Sequence, residues 1–176
     1  MSWSDHNIKT LINIFNTLNK KNRTFIMVNV KISNNEYTGD VELHFFDSNI
    51  LIGNAEIELI ESGDNFLRMM SDSVSDFDED NFDGDELDKS FYIQDIYVEK
   101  KYRNKGYFKE IMPLILSEID KIAKKEFLTR DYSVMLRAYA EDDNVPNEKL
   151  VELYSRYGFC EIQETEEDGV IMLKTV

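Results

Sequence analysis

Lys100, Lys101, Arg103, Lys105 and Lys109 crowd together in a chain whose formal net charge is −15. The first four fall in the run Tyr92-Ile93-Gln94-Asp95-Ile96-Tyr97-Val98-Glu99-Lys100-Lys101-Tyr102-Arg103-Asn104-Lys105-Gly106-Tyr107-Phe108, and Lys109 follows it directly. The run reads as a strand, a tight basic turn and the first turn of an amphipathic helix. A helix N-terminus presents unsatisfied backbone N–H groups and the positive end of the helix dipole, so this order builds an anion site. A basic island at the mouth of a helix in an acidic chain points to a phosphorylated small ligand. Two further groups could move protons: the carboxylate of Asp95 and the phenol of Tyr154.

These residues need a scaffold to bring them together. Ser4 can cap a helix through about Lys20, with Ile8, Leu11, Ile12, Phe15 and Leu18 on one face. Three strands follow by apolar alternation: Ile26, Val28, Val30 and Ile32; Val41, Leu43 and Phe45; Ala55, Ile57 and Leu59. Asn34-Asn35 and Asp47-Ser48-Asn49 supply turn chemistry, so a meander is expected. Residues 62–88 carry nine Asp and Glu from Asp72 to Asp88 without a Lys between them. They read as a mobile acidic loop with room for a short helix at 66–70. A strand is expected at 91–98 and a helix after Gly106, with Phe108, Ile111, Met112, Ile115, Ile119 and Ile122 on its stripe and Pro113 inside it. Next come a strand at 132–140 and a helix at 147–157, with Pro146 at its start and Gly158 at its end. Two closing strands, 159–163 and 170–175, are joined at Asp168-Gly169. The expected fold is a mixed sheet with helices packed on it, in one domain spanning 1–176.

Composition narrows the function. At 176 residues and 42% hydrophobic, the chain can build a substantial core. The charge of −15 argues against general nucleic-acid binding and is compatible with a cationic substrate or partner. Cys160 is the single cysteine, so no internal disulfide framework exists. No apolar run is long enough to cross a bilayer and no signal-peptide pattern opens the chain, so a soluble, cytoplasmic protein of a reducing compartment is expected. Asp76, Asp78, Asp80 and Asp83-Gly84 lack the glycine spacing and closing glutamate of a calcium loop. His6 and His44 lack a ligand cluster, so no metal is expected.

Two motifs make a resemblance specific. Arg103-Asn104-Lys105-Gly106, between strand and helix, looks like the acyl-CoA-binding segment of the GNAT superfamily of N-acetyltransferases. Asn147-x-x-Leu150-x-x-Leu153-Tyr154-x-x-x-Gly158-Phe159 resembles a second signature of that family. Together they cover roughly the C-terminal half. The resemblance implies the GNAT fold: an α/β (α+β) domain with a mixed, mostly antiparallel sheet of about six to seven strands, flanked by helices and splayed between strands 91–98 and 132–140. It implies acetyl-CoA as co-substrate, its pyrophosphate held by backbone N–H groups from Arg103, Asn104, Lys105, Gly106, Tyr107 and Phe108. Its pantetheine arm would lie along Ile96-Tyr97-Val98, with main-chain groups of Ile96 and Val98 offered to it.

Tyr154 then matches the tyrosine that donates a proton to the departing thiolate, against a plain role as a core-facing helix residue. Asn147 matches the asparagine near the start of the same helix and also suits an N-cap. Tyr92-Ile93-Gln94-Asp95-Ile96-Tyr97-Val98 looks like the corresponding strand of the di- and polyamine acetyltransferases, with Gln94 where those carry glutamate. Glutamine cannot act as a base, though it can orient a water. Asp95 is the candidate base or counter-charge, with a structural salt bridge as the alternative. Phe108 stands where the family usually has a small residue, so it either alters the phosphate contacts or joins the core.

The expected activity is acetyl transfer from acetyl-CoA to a primary amine, with a polyamine-like small amine ahead of a protein lysine or N-terminus. The alternatives are a non-catalytic CoA-binding module and an acidic loop that docks a basic protein. A homodimer is compatible with the resemblance.

Overall fold

Alternating apolar residues dominate the N-terminal strands, and the computed structural model pairs them into one sheet. It describes residues 26–34, 40–127, 131–140, 145–165 and 169–176. The expected helix at 4–20, together with Trp3, His6, residues 141–144 and the tip of the last hairpin, lies outside them. The strands are β1 (Val28–Asn34), β2 (Val41–Asp47), β3 (Ile50–Ile60), β4 (Ser90–Val98), β5 (Ser133–Ala138), β6 (Cys160–Thr165) and β7 (Gly169–Thr175). The helices are α1 (Gly63–Ser73), α2 (Gly84–Leu87), α3 (Phe108–Glu126) and α4 (Asn147–Ser155). Sheet order is β1-β2-β3-β4-β5-β7-β6, and every neighbouring pair is antiparallel except β4–β5. A parallel pair needs a long crossover, which α3 supplies. The fold is therefore the expected mixed, mostly antiparallel sheet of seven strands with helices packed on it.

β3 begins at Ile50, earlier than its alternation suggests. Ser48 and Asn49 take positive φ (50° and 70°), and the ladder closes directly across them from Asp47 to Ile50. Two central residues with φ > 0 match the twist of a tight hairpin, so pairing starts at once.

Both faces of the sheet are covered. On one, Ile111, Met112, Ile115, Ile119 and Ala123 of α3 join Phe45, Ile57, Ile93, Val134 and Met172. On the other, Phe66, Leu67 and Met70 of α1 join Ile60, Tyr92, Met135 and Ile171. Burial on both faces explains why Tyr92-Ile93, Val134-Met135-Leu136 and Ile171-Met172 are continuously apolar.

Residues 62–88 correct the sequence reading. They form a folded layer: α1, a single helical turn at Glu79–Asn81, and α2. Val74, Phe77 and Leu87 are buried with the α1 residues, and Phe77 stacks on Phe82 at 5.1 Å. Two polar ties fasten the layer. Gly63 N–H donates to Asp88 Oδ1 at 2.7 Å, which caps α1 from across the layer. Gln163 on β6 donates to Asp76 O at 2.5 Å and accepts from Asp78 N–H at 3.2 Å. A Cβ on Gly63 would stand 2.0 Å from Gly84 O, so glycine is needed for α1 and α2 to meet. The acids between the apolar residues point outward, and their number hid the apolar pattern from a compositional reading.

Among the described residues no helix is long and apolar enough to cross a membrane, and no group of three or more His, Cys, Asp or Glu could hold a metal ion.

Candidate active site

The sheet splits where its parallel pair ends. β4 and β5 are in register only from Phe91–Val134 to Ile93–Leu136. β4 continues to Val98 and β5 to Ala138 without pairing to each other. The cause lies on the other edge of β4. Its register with β3 steps from Glu56–Asp95 to Ile57–Ile93, so Gln94 is the extra residue of a β-bulge. A bulge bends its strand and increases the local twist, which steers β4 away from β5.

The opening leaves backbone groups facing it. Glu99 N–H donates to Ile52 O on β3 at 2.9 Å. Successive residues turn their N–H and C=O to opposite edges, so those of Ile96 and Val98 face away from β3, toward the gap. Arg103 Nε donates to Val98 O at 2.8 Å, and its guanidinium lies over Tyr97, 5.5 Å from the ring centroid. Val98 O is thus engaged by the protein, and Ile96 presents main-chain groups beyond the end of the β5 ladder.

After a helical turn at Lys100–Tyr102, Asn104 (φ 60°) and Gly106 (φ 89°) bend the chain into α3. Backbone bonding resumes with Lys109 N–H to Gly106 O at 3.1 Å. Among the described residues no backbone bond occupies the N–H groups of Asn104 to Phe108. A 19-residue helix begins here, so free N–H groups and dipole combine at one point. The nearest atom to a Cβ on Gly106 would be Ile26 Cδ1 at 3.7 Å, so positive φ rather than crowding asks for glycine. Lys101 and Lys105 lie over the Tyr102 ring at 5.0 and 5.7 Å, keeping charge beside the turn.

Tyr107 fastens the turn to the β2–β3 hairpin. Its hydroxyl donates to Asp47 Oδ2 at 2.5 Å. That hydrogen bond, then burial and the carboxylate's charge, push the Tyr107 pKa up to about 12. Because the folded value lies above the unfolded one, this stability is complete below pH 10 and is lost as pH rises through about 12. Tyr107→Phe is therefore expected to cost about 1–2 kcal/mol, after allowing for its partial exposure. Denaturant titrations should show the same difference from pH 6 to pH 9; a difference that vanishes anywhere in that range contradicts the tether.

Tyr154 sits on α4, only 8% exposed. Its ring meets Phe108 edge-on at 5.7 Å and Phe159 at 6.1 Å, and Phe108 also meets Tyr157 at 6.0 Å. Phe108 therefore joins the core and forms the wall against which Tyr154 packs. Burial first, and then the charge of Asp95, push the Tyr154 pKa up to about 12. Asn147 is not the N-cap; Pro146 holds that position. Asn147 Oδ1 instead accepts from Ala140 N–H at 3.1 Å, tying α4 to the segment after β5.

Gln94 points to a residue that sequence reading passed over. Its Nε2 donates to Glu58 Oε2 on β3 at 2.8 Å. Glu58 also helps raise the pKa of its cross-strand partner Tyr92, where burial is the larger cause and Arg137 opposes. In the sequence Glu58 is one polar position in an alternating strand. Only register places it beside the bulge. A surface pocket of about 380 Å³ lies elsewhere, between α1 and the turn at Glu79–Asn81, and contains none of these residues.

No protein-family model matches the sequence, and no curated protein does. Solved structures do resemble it. A bacterial toxin is similar over 86% of this chain and 92% of its own, at 14% identity and a TM-score of 0.55. The PaiA N-acetyltransferase of Thermoplasma acidophilum, in complex with coenzyme A, is similar over 99% of this chain and 80% of its own, at 17% identity and a TM-score of 0.46. A KacTA–DNA complex is similar over 94% and 79%, at 12% identity and a TM-score of 0.49. At these identities the likeness is one of fold.

Proposed function

We propose that the chain transfers an acetyl group from acetyl-CoA to a primary amine by direct attack, with a cationic, polyamine-like small amine as acceptor. The observation that carries this reading is the split between β4 and β5. It has unbonded turn N–H groups at one end and, on the helix tied to the segment after β5, a buried phenol whose pKa burial and the charge of Asp95 hold at about 12. The turn from Asn104 to Phe108 suits a pyrophosphate, and the Ile96 edge suits the amide groups of a pantetheine arm.

The chemistry divides among these residues. Asp95, directly or through a water, takes the proton from the acceptor ammonium; leaving an amine of lysine-like pKa neutral at pH 7 costs about 4.6 kcal/mol without such help. The amine nitrogen then bonds to the thioester carbonyl carbon while the Ile96 N–H stabilises the oxygen that gains charge. As the carbon–sulfur bond breaks, Tyr154 donates its proton to the sulfur, and the second proton that the nitrogen sheds on becoming an amide restores the phenol through water. Arg103 acts here through Val98 O, positioning the strand and the turn.

Incubation with acetyl-CoA and spermidine-like amines is expected to release free thiol, measured with a chromogenic disulfide. No release across a broad amine panel rejects the enzymatic reading. One observation favours a second reading: Gln94 carries no titratable group and its amide already binds Glu58. Acetyl-CoA binding without any turnover would make the chain a CoA-holding module.

A further inference from the structure

We propose that Glu58 is a specificity-determining residue, holding a second cationic nitrogen of the acceptor while Asp95 attends the nitrogen that reacts. The inference rests on the acetyl-transfer reading and names the acceptor class more narrowly, as a short alkyl diamine or its longer analogues.

Three observations place Glu58. Glu56 and Glu58, two apart on β3, share one face of the sheet, and Asp95 stands opposite Glu56. Glu58 is therefore the diagonal neighbour of Asp95, with backbones roughly 7–8 Å apart, a spacing that the two nitrogens of a short diamine can bridge. The bulged Gln94 lies between them in sequence and turns its amide onto Glu58 Oε2, leaving no described partner on Oε1. Holding one oxygen fixes the carboxylate's direction, so little rotamer freedom is lost when a cation binds the other. Finally, Glu58 lies beside β4 where β4 leaves β5, since its partner Tyr92 precedes Ile93, the last residue paired to β5. On the β5 side, Arg137 acts on Tyr92 against Glu58. The face is thus acidic toward β3 and basic toward β5, which gives a diamine a preferred direction of entry.

The test compares putrescine with n-butylamine, equal in chain length and different by one charge. The parent is expected to prefer the diamine by about tenfold or more in kcat/KM, the size of one charge-assisted hydrogen bond. Glu58→Gln should abolish that preference by raising KM for putrescine, with the butylamine rate and the KM for acetyl-CoA within twofold of the parent. Gln94→Ala, which leaves the carboxylate but frees it, should lose part of the preference. A general disturbance of the fold would lower both amines together. A parent without diamine preference, a preference retained in Glu58→Gln, or equal loss for both amines overturns the assignment and leaves acetyl transfer standing. A parent that binds acetyl-CoA yet acetylates no amine overturns both.

Discussion

Tyr154→Phe is expected to lower kcat by about 10²–10³, with acetyl-CoA affinity within twofold of the parent. The ring is kept, so its edge-on contacts with Phe108 and Phe159 survive and the melting temperature should stay within a few degrees. Only the hydroxyl is removed. Burial and the Asp95 charge both penalise the phenolate, and a pKa of about 12 keeps the phenol protonated throughout the working range. A donor must hold its proton until the sulfur leaves, and this environment ensures it. The same desolvation penalises any anion beside the ring, so the departing thiolate gains most from a hydrogen bond there. The parent's alkaline limb below pH 10 should therefore report other groups, and Tyr154→Phe should lower the pH–rate profile without shifting its limbs. Stopped-flow thiol release separates this from a packing role. Unchanged turnover would make Tyr154 a core aromatic only.

Leu87→Ala is expected to destabilise the protein by about 2–5 kcal/mol, read as a lower denaturant midpoint with an unchanged slope. Leu87 is 2% exposed and packs with Phe66, Leu67, Met70 and Phe77 against Ile60 and Tyr92. The adjacent Asp88 caps α1, so loosening Leu87 also releases the Gly63 N–H. Against a total stability of about 5–15 kcal/mol the loss is large. It would show that the acidic stretch is part of the fold. A cost below about 0.5 kcal/mol, the level of a surface change, would return it to the status of a loop. Because this layer covers the face on which Tyr92 and Glu58 stand, its loosening should also weaken acceptor binding more than acetyl-CoA binding.

Signals read along the chain were legible where partners are close in sequence. The alternation of β1–β3, the stripe of α3, the turn before it and the order of the strands all follow from neighbours a few residues apart. The turn in particular needs only a strand, a residue able to take positive φ and a helix, and Arg103 to Phe108 spell that out. Residues 62–88 misled because carboxylates outnumber the buried side chains there, and only the sheet face beneath shows that Phe66, Met70 and Leu87 have something to bury against. Phe108 left two roles open until α4 and the turn after it placed Tyr154 and Tyr157 beside it. Asn147 looked like a cap because a cap is local, and its partner is the backbone of Ala140.

The sequence by itself determined the strand–turn–helix order around Arg103 to Phe108 and the presence of a phenol at Tyr154 and a carboxylate at Asp95. Tertiary structure alone decided that β4 parts from β5 after Ile93, that Tyr154 is buried against Phe108 and Phe159, and that Gln94 holds Glu58 across 36 residues of chain. The physical reason is register. A one-residue bulge at Gln94 resets which side chains stand opposite one another, and that pairing is settled by burial on both faces of the completed sheet.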